Sequence, residues 1–235
     1  MTLPHPPHNP GSSTSPGMVG TVDHLRLVHE AGRGPCCVVF RAYDTVAERT
    51  LAAKVLPAEM AAGTEEAGRF RAALAGAAHL VHPRIVALRH LHEVWEADAG
   101  AQRLGIRTGR IVLLSDWVDG VDLRAWLTEA QADREALHRL FLDVAAGLDA
   151  AHGAGIVHGA LSPGNVLVSP AGTAVVADLA ASAELRASLR NLGLASADAL
   201  RNCPWTAPEI RSGGAAAPAA DVYSLAALLA AALTG

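Results

Sequence analysis

The sequence predicts an α+β protein of two lobes, a small β-rich lobe followed by a helical one. Short β-branched, apolar runs recur up to about residue 117, and beyond Gly120 the apolar residues recur at helical spacing. In addition, a segment near 220–233 is apolar almost all round, as is typical of a helix in a core. Strands and helices that are segregated along the chain in this way indicate an α+β plan.

Five short strands are predicted in the first lobe, which takes in about residues 21–116. Each is a β-branched, apolar run bounded by Gly, Pro or polar residues. They lie before and after the turn Gly32-Arg33-Gly34, at 50–56, at 85–94 and at 110–117, and the polar stretch 98–109 connects the last two.

One helix is predicted in the same lobe, from about Thr64 to Leu80. Glu65 and Glu66 fall in its first turn, where the helix dipole favours anions. A proline follows at position 83, and the helix is expected to end ahead of it because proline cannot continue a helix.

The tail of about 20 residues that precedes this lobe is rich in Pro, His, Ser and Gly. Such a composition cannot bury a core, so the tail is expected to be disordered. His5 and His8 lie in it without a third metal-ligating residue, which favours a solvated tail over a metal site.

The second lobe, about residues 117–235, is predicted to be mainly helical. Asp122 is a candidate cap for a short helix. Asp133 is a candidate cap for a long helix that ends near Ala154-Gly155.

Two short strands are predicted within this helical lobe, at 166–168 and 174–177, joined by a Pro-Ala-Gly turn. An irregular segment of about 30 residues then leads to the apolar helix near 220–233. A helix with so little polar surface is expected to be buried.

Charge and composition narrow the functional classes. The net charge is −4 and the basic residues are scattered, which argues against nucleic acid as a partner. The longest apolar run, Leu225 to Leu233, is far shorter than the roughly 20 residues needed to cross a bilayer, so no membrane segment is expected. Cys36, Cys37 and Cys203 are an odd number without metal-ligand spacing, which favours the reducing cytoplasm.

Six short blocks follow one another along the chain, each of them weak evidence when taken alone. They are Gly32-x-Gly34-x-x-Cys37-x-Val39, Leu51-Ala52-Ala53-Lys54, His158 to Asn165, Asp178-Leu179-Ala180, Ala207-Pro208-Glu209 and Asp221-Val222-Tyr223-Ser224-Leu225. In order and spacing they resemble the bacterial serine/threonine protein kinases of the eukaryotic type. The resemblance covers about residues 24–235 and implies a two-lobed protein-kinase-like fold.

The resemblance implies a binding site for ATP with Mg²⁺ between the lobes. In the family a glycine-rich hairpin lets backbone N–H groups approach the phosphates. Gly32 and Gly34 match it, whereas Cys37 replaces the third glycine and Pro35 removes one N–H. Lys54 matches the lysine that holds the α- and β-phosphates. The other interpretation of Lys54 is a strand-edge lysine that points to solvent.

The adenine site is implied by the same resemblance. Backbone groups of Asp116 and Val118, in the segment between the lobes, would meet the adenine. The apolar walls would be Val39, Ala52 and Leu167. Small hydrophobic residues in strands are usually core residues, so these assignments depend on the resemblance alone.

Two residues match the magnesium ligands of the family, Asn165 and Asp178, and oxygen ligands of this sort suit Mg²⁺. Together with Lys54 they could hold a Mg-nucleotide. Alternatively, Asp178 only caps a turn and Asn165 only satisfies loop backbone. Leu179-Ala180 replaces the family's Phe-Gly, which keeps an apolar anchor and loses a flexible glycine.

The lysine of the family is normally paired with a glutamate of the following helix, and Ala73 occupies that position here. Glu66 lies about two helical turns earlier, or ~10 Å away. Glu65 and Glu66 are therefore predicted to be surface charges of the first turn, and the lysine–glutamate clamp is predicted to be absent.

The catalytic loop departs furthest from the family, which has His-Arg-Asp-Leu-Lys-Pro-x-Asn where this chain has His-Gly-Ala-Leu-Ser-Pro-Gly-Asn. Ala160 stands where an aspartate accepts the proton of the substrate hydroxyl. Ser162 stands where a lysine steadies the transferred phosphoryl group, and Gly159 where an arginine reads phosphorylation of the activation loop. Asn202 replaces the threonine that contacts the aspartate. Asp221 is implied to tie the catalytic loop to the apolar helix.

These losses predict a pseudokinase, a catalytically inactive domain that acts as a regulatory or protein-binding module for an unnamed protein partner. The alternative is a weak or unusual serine/threonine kinase, since Lys54, Asn165 and Asp178 are retained. A degenerate fragment without independent function is the third hypothesis.

The resemblance also implies that the helical lobe is truncated after its central buried helix, near 220–233. In the family, Glu209 pairs with an arginine from helices beyond that point. A fragment of a longer protein and a naturally short lobe with exposed apolar surface are both consistent with the sequence.

Overall fold

The structure is a computed structural model that describes residues 18–34, 37–129, 134–193 and 203–234, and the elements are numbered over these ranges. A six-stranded antiparallel sheet has the order β1-β2-β3-β4-β6-β5. Its strands are β1 (Gly20–Val22), β2 (Leu25–Arg33), β3 (Val38–Asp44), β4 (Arg49–Val55), β5 (Leu88–Glu93) and β6 (Ile111–Asp116).

The second sheet lies in the helical lobe and has the order β7-β8-β9. Its strands are β7 (Val121–Asp122), β8 (Val166–Val168) and β9 (Ala174–Val176). The helices are α1 (Glu65–Ala77), α2 (Ala99–Arg103), α3 (Leu123–Glu129), α4 (Arg134–Gly153), α5 (Ala181–Asn191), α6 (Pro208–Arg211) and α7 (Pro218–Thr234), with 3₁₀ turns at Ala58–Met60 and Pro163–Asn165.

The large sheet has two faces because successive side chains of a strand point to opposite sides. Phe40, Ala53 and Leu114 lie in the core cluster of the first face. Ala52 and Lys54 alternate with them and point to the other face, where both are half-buried. The second face is the one that meets the helical lobe and the candidate site.

Helix α1 covers part of this second face. Its N-cap is Thr64, whose Oγ1 accepts the N–H of Ala67 at 3.2 Å, which confirms the predicted start. Phe70 and Leu74 are buried in one apolar cluster with Leu113 of β6. Burial of side chains of this size contributes roughly 1.5–3 kcal/mol each and holds α1 on the sheet.

The predicted capping in the helical lobe is confirmed at one position. The carboxylate of Asp122 accepts the N–H of Ala125 at 2.8 Å and caps α3. Asp133, the candidate cap of α4, lies outside the described residues. The predicted strand pair of this lobe is confirmed as β8 and β9.

The large sheet and its loops contain more regular structure than the sequence predicts. Strand β1 is a sixth strand, because Gly20 pairs with Leu27 of β2. Helix α2 occupies the stretch predicted as a connection. It forms because Asp98 Oδ1 accepts the N–H of Ala101 at 2.8 Å.

The segment predicted to be irregular contains α5 and α6. The large apolar residues of α5 are Leu185, which packs against the cluster of α1, and Leu189, which is buried. The helix is amphipathic but polar in composition, so its stability depends on tertiary contacts that the sequence does not reveal.

Helix α7 is only partly buried, which corrects the prediction of a fully buried helix. Ala220, Asp221 and Leu228 are buried, but Val222 and Leu233 are 59% and 50% exposed. The described residues pack against this helix from one side, which includes α4, and leave its other side accessible. Within the described ranges, none of the helices has both the length and the hydropathy that a bilayer span requires.

Candidate functional site

Lys54 and Asp178 form an ion pair between the sheet and the helical lobe. Lys54 Nζ donates a hydrogen bond to Asp178 Oδ2, and the two side chains are only 15% and 21% exposed. Burial alone would raise the pKa of Asp178, but the charge and hydrogen bond of Lys54, together with smaller contributions from neighbouring groups, outweigh burial and hold that pKa below its usual value. The interpretation of Lys54 as a lysine pointing to solvent is therefore wrong.

Asn165 lies beside this pair and is joined to it through Ser182 of α5. Asn165 Nδ2 donates to the carbonyl of Ala160 at 2.9 Å and to Ser182 Oγ at 3.4 Å. Ser182 Oγ in turn donates to Asp178 Oδ2 at 3.4 Å. The structure thus brings together Lys54, Asn165 and Asp178 and adds Ser182, which the sequence did not single out because α5 was not predicted.

Two oxygen atoms of this group remain available for a cation. The amide nitrogen of Asn165 donates to the loop backbone, which agrees with one interpretation of the sequence. Its Oδ1 accepts no hydrogen bond from the described residues. The same holds for Asp178 Oδ1, since Lys54 and Ser182 both approach Oδ2. A carbonyl oxygen and a carboxylate oxygen are suitable ligands for Mg²⁺.

The residues predicted as apolar walls lie on the faces that such a role requires. In the sheet register Val39 is opposite Lys54, so the two side chains share a face with Ala52. Leu167 is half-buried between two buried neighbours on β8, so its side chain points away from the core of the helical lobe. All three predicted wall residues therefore retain some accessibility.

The segment between the lobes has a backbone donor available at Val118. Asp116 N–H already donates to the carbonyl of Ala87 at 2.9 Å, and the Asp116 carboxylate binds Arg89. Val118 N–H donates to no acceptor among the described residues. Of the two predicted adenine contacts, Val118 therefore has its N–H available.

Trp117 lies between these two residues and carries a contact that the sequence did not suggest. The guanidinium of Arg41 lies 5.4 Å from the centre of its ring, a cation–π distance. Arg41 is opposite Ala52 in the register of β3 and β4, so it shares the face of the sheet that carries Lys54.

Gly32 and Gly34 lie at the end of the β2–β3 hairpin. Gly34 N–H donates to the carbonyl of Cys37 at 2.8 Å, and Gly32 is opposite Val39. A Cβ atom added at Gly32 would meet nothing within 4 Å. Packing therefore does not explain this glycine, and the space above it is open. Pro35 lies outside the described residues.

Asp221 anchors the catalytic loop, which confirms its predicted role. Its two carboxylate oxygens accept the N–H groups of His158 and Gly159, both at 2.8 Å, and Oδ2 also contacts His152 Nε2 at 2.8 Å. The Asp221 side chain is only 1% exposed. A buried carboxylate with three partners fixes the backbone of the loop to α7.

His158 is buried in the same loop and is held neutral. Its Nε2 lies 3.1 Å from the carbonyl of Ala177, and Ala160 N–H approaches its Nδ1 at 3.3 Å. This arrangement fits the tautomer with the proton on Nε2. Burial lowers the pKa of His158, although the carboxylates of Asp221 and Asp178 act in the opposite direction.

Ala160 presents only backbone to the site. It is 3% exposed, and its carbonyl oxygen accepts hydrogen bonds from Asn165 Nδ2 at 2.9 Å and from Arg186 of α5 at 3.2 Å. A methyl group offers no acceptor for a substrate proton. The position implied for a catalytic base is therefore occupied by a methyl group beneath α5.

Gly159 is required by the packing of α5. Its φ is +67°, and an added Cβ would lie 2.9 Å from the Cβ of Ala216 and 3.0 Å from the Cβ of Ala183. Both the backbone conformation and the lack of space favour glycine. The arginine that active family members carry here does not fit while α5 is in this position.

The lysine–glutamate clamp is absent, as predicted. Ala73 is exposed on α1. Glu65 and Glu66 both pair with Arg69, each at 2.6 Å. Glu65 is exposed as predicted, whereas the Glu66 side chain is only 17% exposed, which corrects its prediction as a surface charge. The positive charge of Lys54 is compensated by Asp178 instead.

Leu179 is the apolar anchor that the sequence predicted. It is buried in a cluster with Ile85 and Ala151. Ala180, in the glycine position of the family motif, has a φ of +59° and so adopts a conformation that favours glycine. The chain bends there directly into α5.

The two-lobed architecture, the anchored loop and the residues gathered beside it define a protein-kinase domain with a substituted catalytic loop. A family model described as protein kinase domain matches residues 25–235, and the chain belongs to this family.

Individual relatives agree with this assignment. The chain is 34% identical over 203 residues to the serine/threonine-protein kinase PknA of Mycobacterium tuberculosis, covering 85% of this chain and 43% of the relative. It is 28% identical over 217 residues to the probable serine/threonine-protein kinase PknB of Lactococcus lactis, covering 91% of this chain and 32% of the relative. The chain therefore spans less than half the length of these relatives.

A solved structure gives the same result. The kinase domain of M. tuberculosis PknI is similar with a TM-score of 0.63 and 25% sequence identity, over 92% of this chain and 74% of that domain.

Proposed function

We propose that this chain is a pseudokinase, a kinase-fold domain that does not transfer phosphoryl groups and acts in the cytoplasm as a regulatory module for a protein partner. The observation that carries the proposal is Ala160, whose methyl group lies at the position of the catalytic base. A general base contributes about 10²–10⁴-fold to a rate of this kind. Ser162 in place of the phosphoryl-steadying lysine removes further electrostatic stabilisation.

The position of α5 supports the same proposal. Arg186 donates to the Ala160 carbonyl and places α5 over the catalytic loop. A protein substrate would have to displace this helix to bring a hydroxyl group near Asn165 and Asp178. The chain therefore lacks the base and also covers the loop that would present it.

We further propose that a Mg-nucleotide binds in the cleft, since family members use ATP with Mg²⁺ and the residues here fit that group. Lys54 would hold the phosphates, and Asn165 and Asp178 would hold the cation through their available oxygens. When bound, Mg²⁺ would neutralise phosphate charge. Lys54 must exchange Asp178 for a phosphate, so this binding is expected to be weaker than that of an active kinase.

A thermal-shift titration with ATP, with and without Mg²⁺, tests the nucleotide proposal. We expect a rise in Tm that depends on Mg²⁺ and is lost in Lys54→Met and in Asp178→Asn. Arg107→Gln is the control, since Arg107 is an exposed arginine of the loop between α2 and β6. If Tm does not rise at any millimolar concentration of ATP, the proposal of nucleotide binding is wrong. The proposal that the chain transfers no phosphoryl group would be unaffected.

The second candidate function is a weak or unusual serine/threonine kinase. The observation that favours it is the assembly of Lys54, Asn165 and Asp178 around one site. Transfer of radiolabelled phosphate from ATP to a generic protein substrate distinguishes the two candidates. Transfer that disappears in Asp178→Asn would establish the kinase and overturn the pseudokinase.

A further inference from the structure

Three histidines cluster at one end of the large sheet, on the face of the first core cluster. The ring of His92 lies 5.1 Å from that of His24 and 6.2 Å from that of His90, edge to face in both pairs. His90 and His92 belong to β5 and are opposite Leu114 and Val112, which are members of that core cluster. His24 lies in the turn between β1 and β2. This histidine cluster is therefore on the opposite face of the sheet from the candidate nucleotide site.

Asp23 fastens the turn between β1 and β2 to the end of β5. Its Oδ2 lies 2.7 Å from His92 Nε2 and accepts the N–H of Trp95 at 3.1 Å, and its Oδ1 accepts the N–H of Glu96 at 2.7 Å. The side chains of His92 and Asp23 are only 12% and 15% exposed. Burial alone would raise the pKa of Asp23, but these hydrogen bonds, with a contribution from the charge of His92, hold that pKa below its usual value. The carboxylate therefore stays charged throughout the range in which histidine titrates.

A second carboxylate and a fixed cation complete the cluster. Asp44 of β3 is only 3% exposed, and its Oδ1 accepts the N–H groups of Val46 and Ala47, both at 2.9 Å. Its Oδ2 lies 3.8 Å from His24 Nε2. Arg49 is opposite Asp44 in the register of β3 and β4, so its positive charge lies on the same face. The charged groups of the cluster thus come from the β1–β2 turn, β3, β4 and β5.

The cluster has more groups that can become positive than it has carboxylates. With three neutral imidazoles it contains one cation and two carboxylates, and with three protonated imidazoles it contains four cations and two carboxylates. The charges of His24 and His92 are each compensated by a neighbouring carboxylate. No carboxylate lies within ion-pair distance of His90 in the part of the chain that the structure describes, and residues 1–17, which precede β1, contain no Asp or Glu. The third proton is therefore the one that the cluster resists.

His90 is the imidazole that the folded state keeps neutral. Partial burial lowers its pKa most, and the neighbouring His92 lowers it further. The carboxylate of Asp44 acts in the opposite direction, and smaller lowering contributions come from His24 and Arg49. For a base whose pKa is lowered on folding, stability is complete above the unfolded value of about 6.5 and is lost as the pH falls below that value.

We infer that the histidine cluster is a proton-responsive clasp of the large sheet. At neutral pH it holds the turn between β1 and β2 on the end of β5. In mild acid the third imidazole becomes charged, four cations then face two carboxylates, and the like charges push the turn away from β5. The ion pair of Lys54 and Asp178 on the other face persists in this range, since it weakens only below about pH 5. The sheet thus has a pH response of its own, which does not depend on nucleotide binding.

Thermal unfolding of the full chain between about pH 7.5 and 5.5 measures this response, in buffers of equal ionic strength that contain EDTA so that only the proton concentration varies. Over this range we expect the Tm of the wild-type chain to fall by about 2–4 °C more than that of His90→Gln, because glutamine takes up no proton. His138→Gln, which removes an exposed histidine of α4, is the control and is expected to follow the wild-type chain. Parallel curves for the wild-type chain and His90→Gln would overturn the proposal.

Two charge variants of opposite sign test the same mechanism. Asp44→Asn removes a carboxylate but keeps an oxygen for its two backbone N–H partners, so the fall in Tm is expected to begin at higher pH. Arg49→Gln removes the fixed cation, so the fall is expected to begin at lower pH. The measured quantity is the pH at which Tm falls, which a general loss of stability does not move in opposite directions. Displacement of both variants in the same direction would contradict the mechanism.

Hydrogen exchange shows whether the clasp itself opens. The amide protons of Trp95 and Glu96 donate to Asp23, and their protection, corrected for the intrinsic pH dependence of exchange, is expected to fall about tenfold between pH 7.5 and 5.5 in the wild-type chain. In His90→Gln it is expected to stay constant, and the amides of α4 are expected to keep their protection in both proteins. Constant protection of the two amides in the wild-type chain, or an equal loss throughout α4, would show that no local clasp opens.

Discussion

The side chains of Lys54 and Asp178 pair with each other although they lie 124 residues apart in the sequence. Lys54 belongs to the large sheet and Asp178 follows β9, so the pair joins the two lobes. Both side chains are mostly buried, and each charge is compensated by the other. The stability of the domain and the proposed nucleotide site therefore depend on the same two residues.

Replacement of Lys54 by Met leaves the Asp178 carboxylate without its cation. We expect the free energy of unfolding at pH 7 to fall by about 1–3 kcal/mol, less than the 3–5 kcal/mol typical of fully buried pairs because both groups keep some exposure. Urea unfolding measures this change. Arg107→Met is the matched control and should change it by less than about 0.5 kcal/mol. Equal losses in the two variants would contradict the prediction.

The pair also predicts a pH dependence. Although burial opposes it, Lys54 holds the pKa of Asp178 below its usual value in the folded state. A carboxylate of this kind stabilises the fold above its unfolded pKa, and the contribution is lost as the pH falls through the folded value. Between about pH 5 and 3, the unfolding free energy of the wild-type chain should therefore fall more steeply than that of Lys54→Met. Parallel curves over this range would show that the pair contributes nothing.

The packing around Gly159 predicts that replacing it with the arginine of the family will destabilise the fold. In Gly159→Arg the side chain must take a φ of +67° and push against Ala183 and Ala216. We expect a loss of about 2–4 kcal/mol, combining the left-handed backbone with overpacking. Gly164→Arg in the same loop is the control, since a Cβ at Gly164 would meet nothing within 4 Å. A Gly159→Arg protein as stable as this control would mean that α5 does not pack as described.

The sequence predicts the local features of this fold well, because they arise from short-range chemistry. Thr64 caps α1 by a hydrogen bond to a residue three positions away, and Asp122 caps α3 in the same way. The position of Asp221 beneath the catalytic loop was predicted through the order of the six blocks, since no local pattern places a carboxylate against a loop 62 residues earlier.

Helix α5 is the part of the fold that the sequence does not predict. It packs against Gly159 and α1, which are distant in sequence, so its amphipathic pattern alone does not show what covers it. The roles of Ser182 and Arg186 follow from the position of that helix. The sequence also does not predict the partner of Lys54. Whether Lys54 pairs with Asp178 or with a glutamate of α1 depends on how the sheet and the helical lobe pack together.

The surroundings of Ala160 predict that restoring an aspartate at this one position will not produce phosphoryl-transfer activity. Ala160→Asp places a carboxylate where the side chain is 3% exposed and beneath α5, close to Arg186. We expect no measurable phosphoryl transfer from radiolabelled ATP, because Ser162 and the absent clamp remain unchanged. An active relative assayed in parallel serves as the positive control. Clear transfer by this variant would show that the missing aspartate was the sole defect.

Asp221 predicts the largest loss of stability among these variants. Its buried carboxylate accepts the backbone N–H groups of His158 and Gly159 and contacts His152, all at 2.8 Å. Asp221→Ala leaves the buried N–H of His158 and the half-buried N–H of Gly159 without their acceptor, and we expect a loss of about 3–5 kcal/mol in urea unfolding.

The matched control for this prediction is Asp149→Ala, an exposed carboxylate on α4 that should change the unfolding free energy by less than about 0.5 kcal/mol. Hydrogen exchange provides a second, local measurement. In Asp221→Ala the amide protons of His158 and Gly159 should exchange at the rate of local opening, whereas α1 should keep its protection if the sheet and its helix remain folded. Unchanged protection of these two amides would mean that other groups hold the catalytic loop, because a hydrogen bond that limits exchange cannot be removed without a local increase in rate.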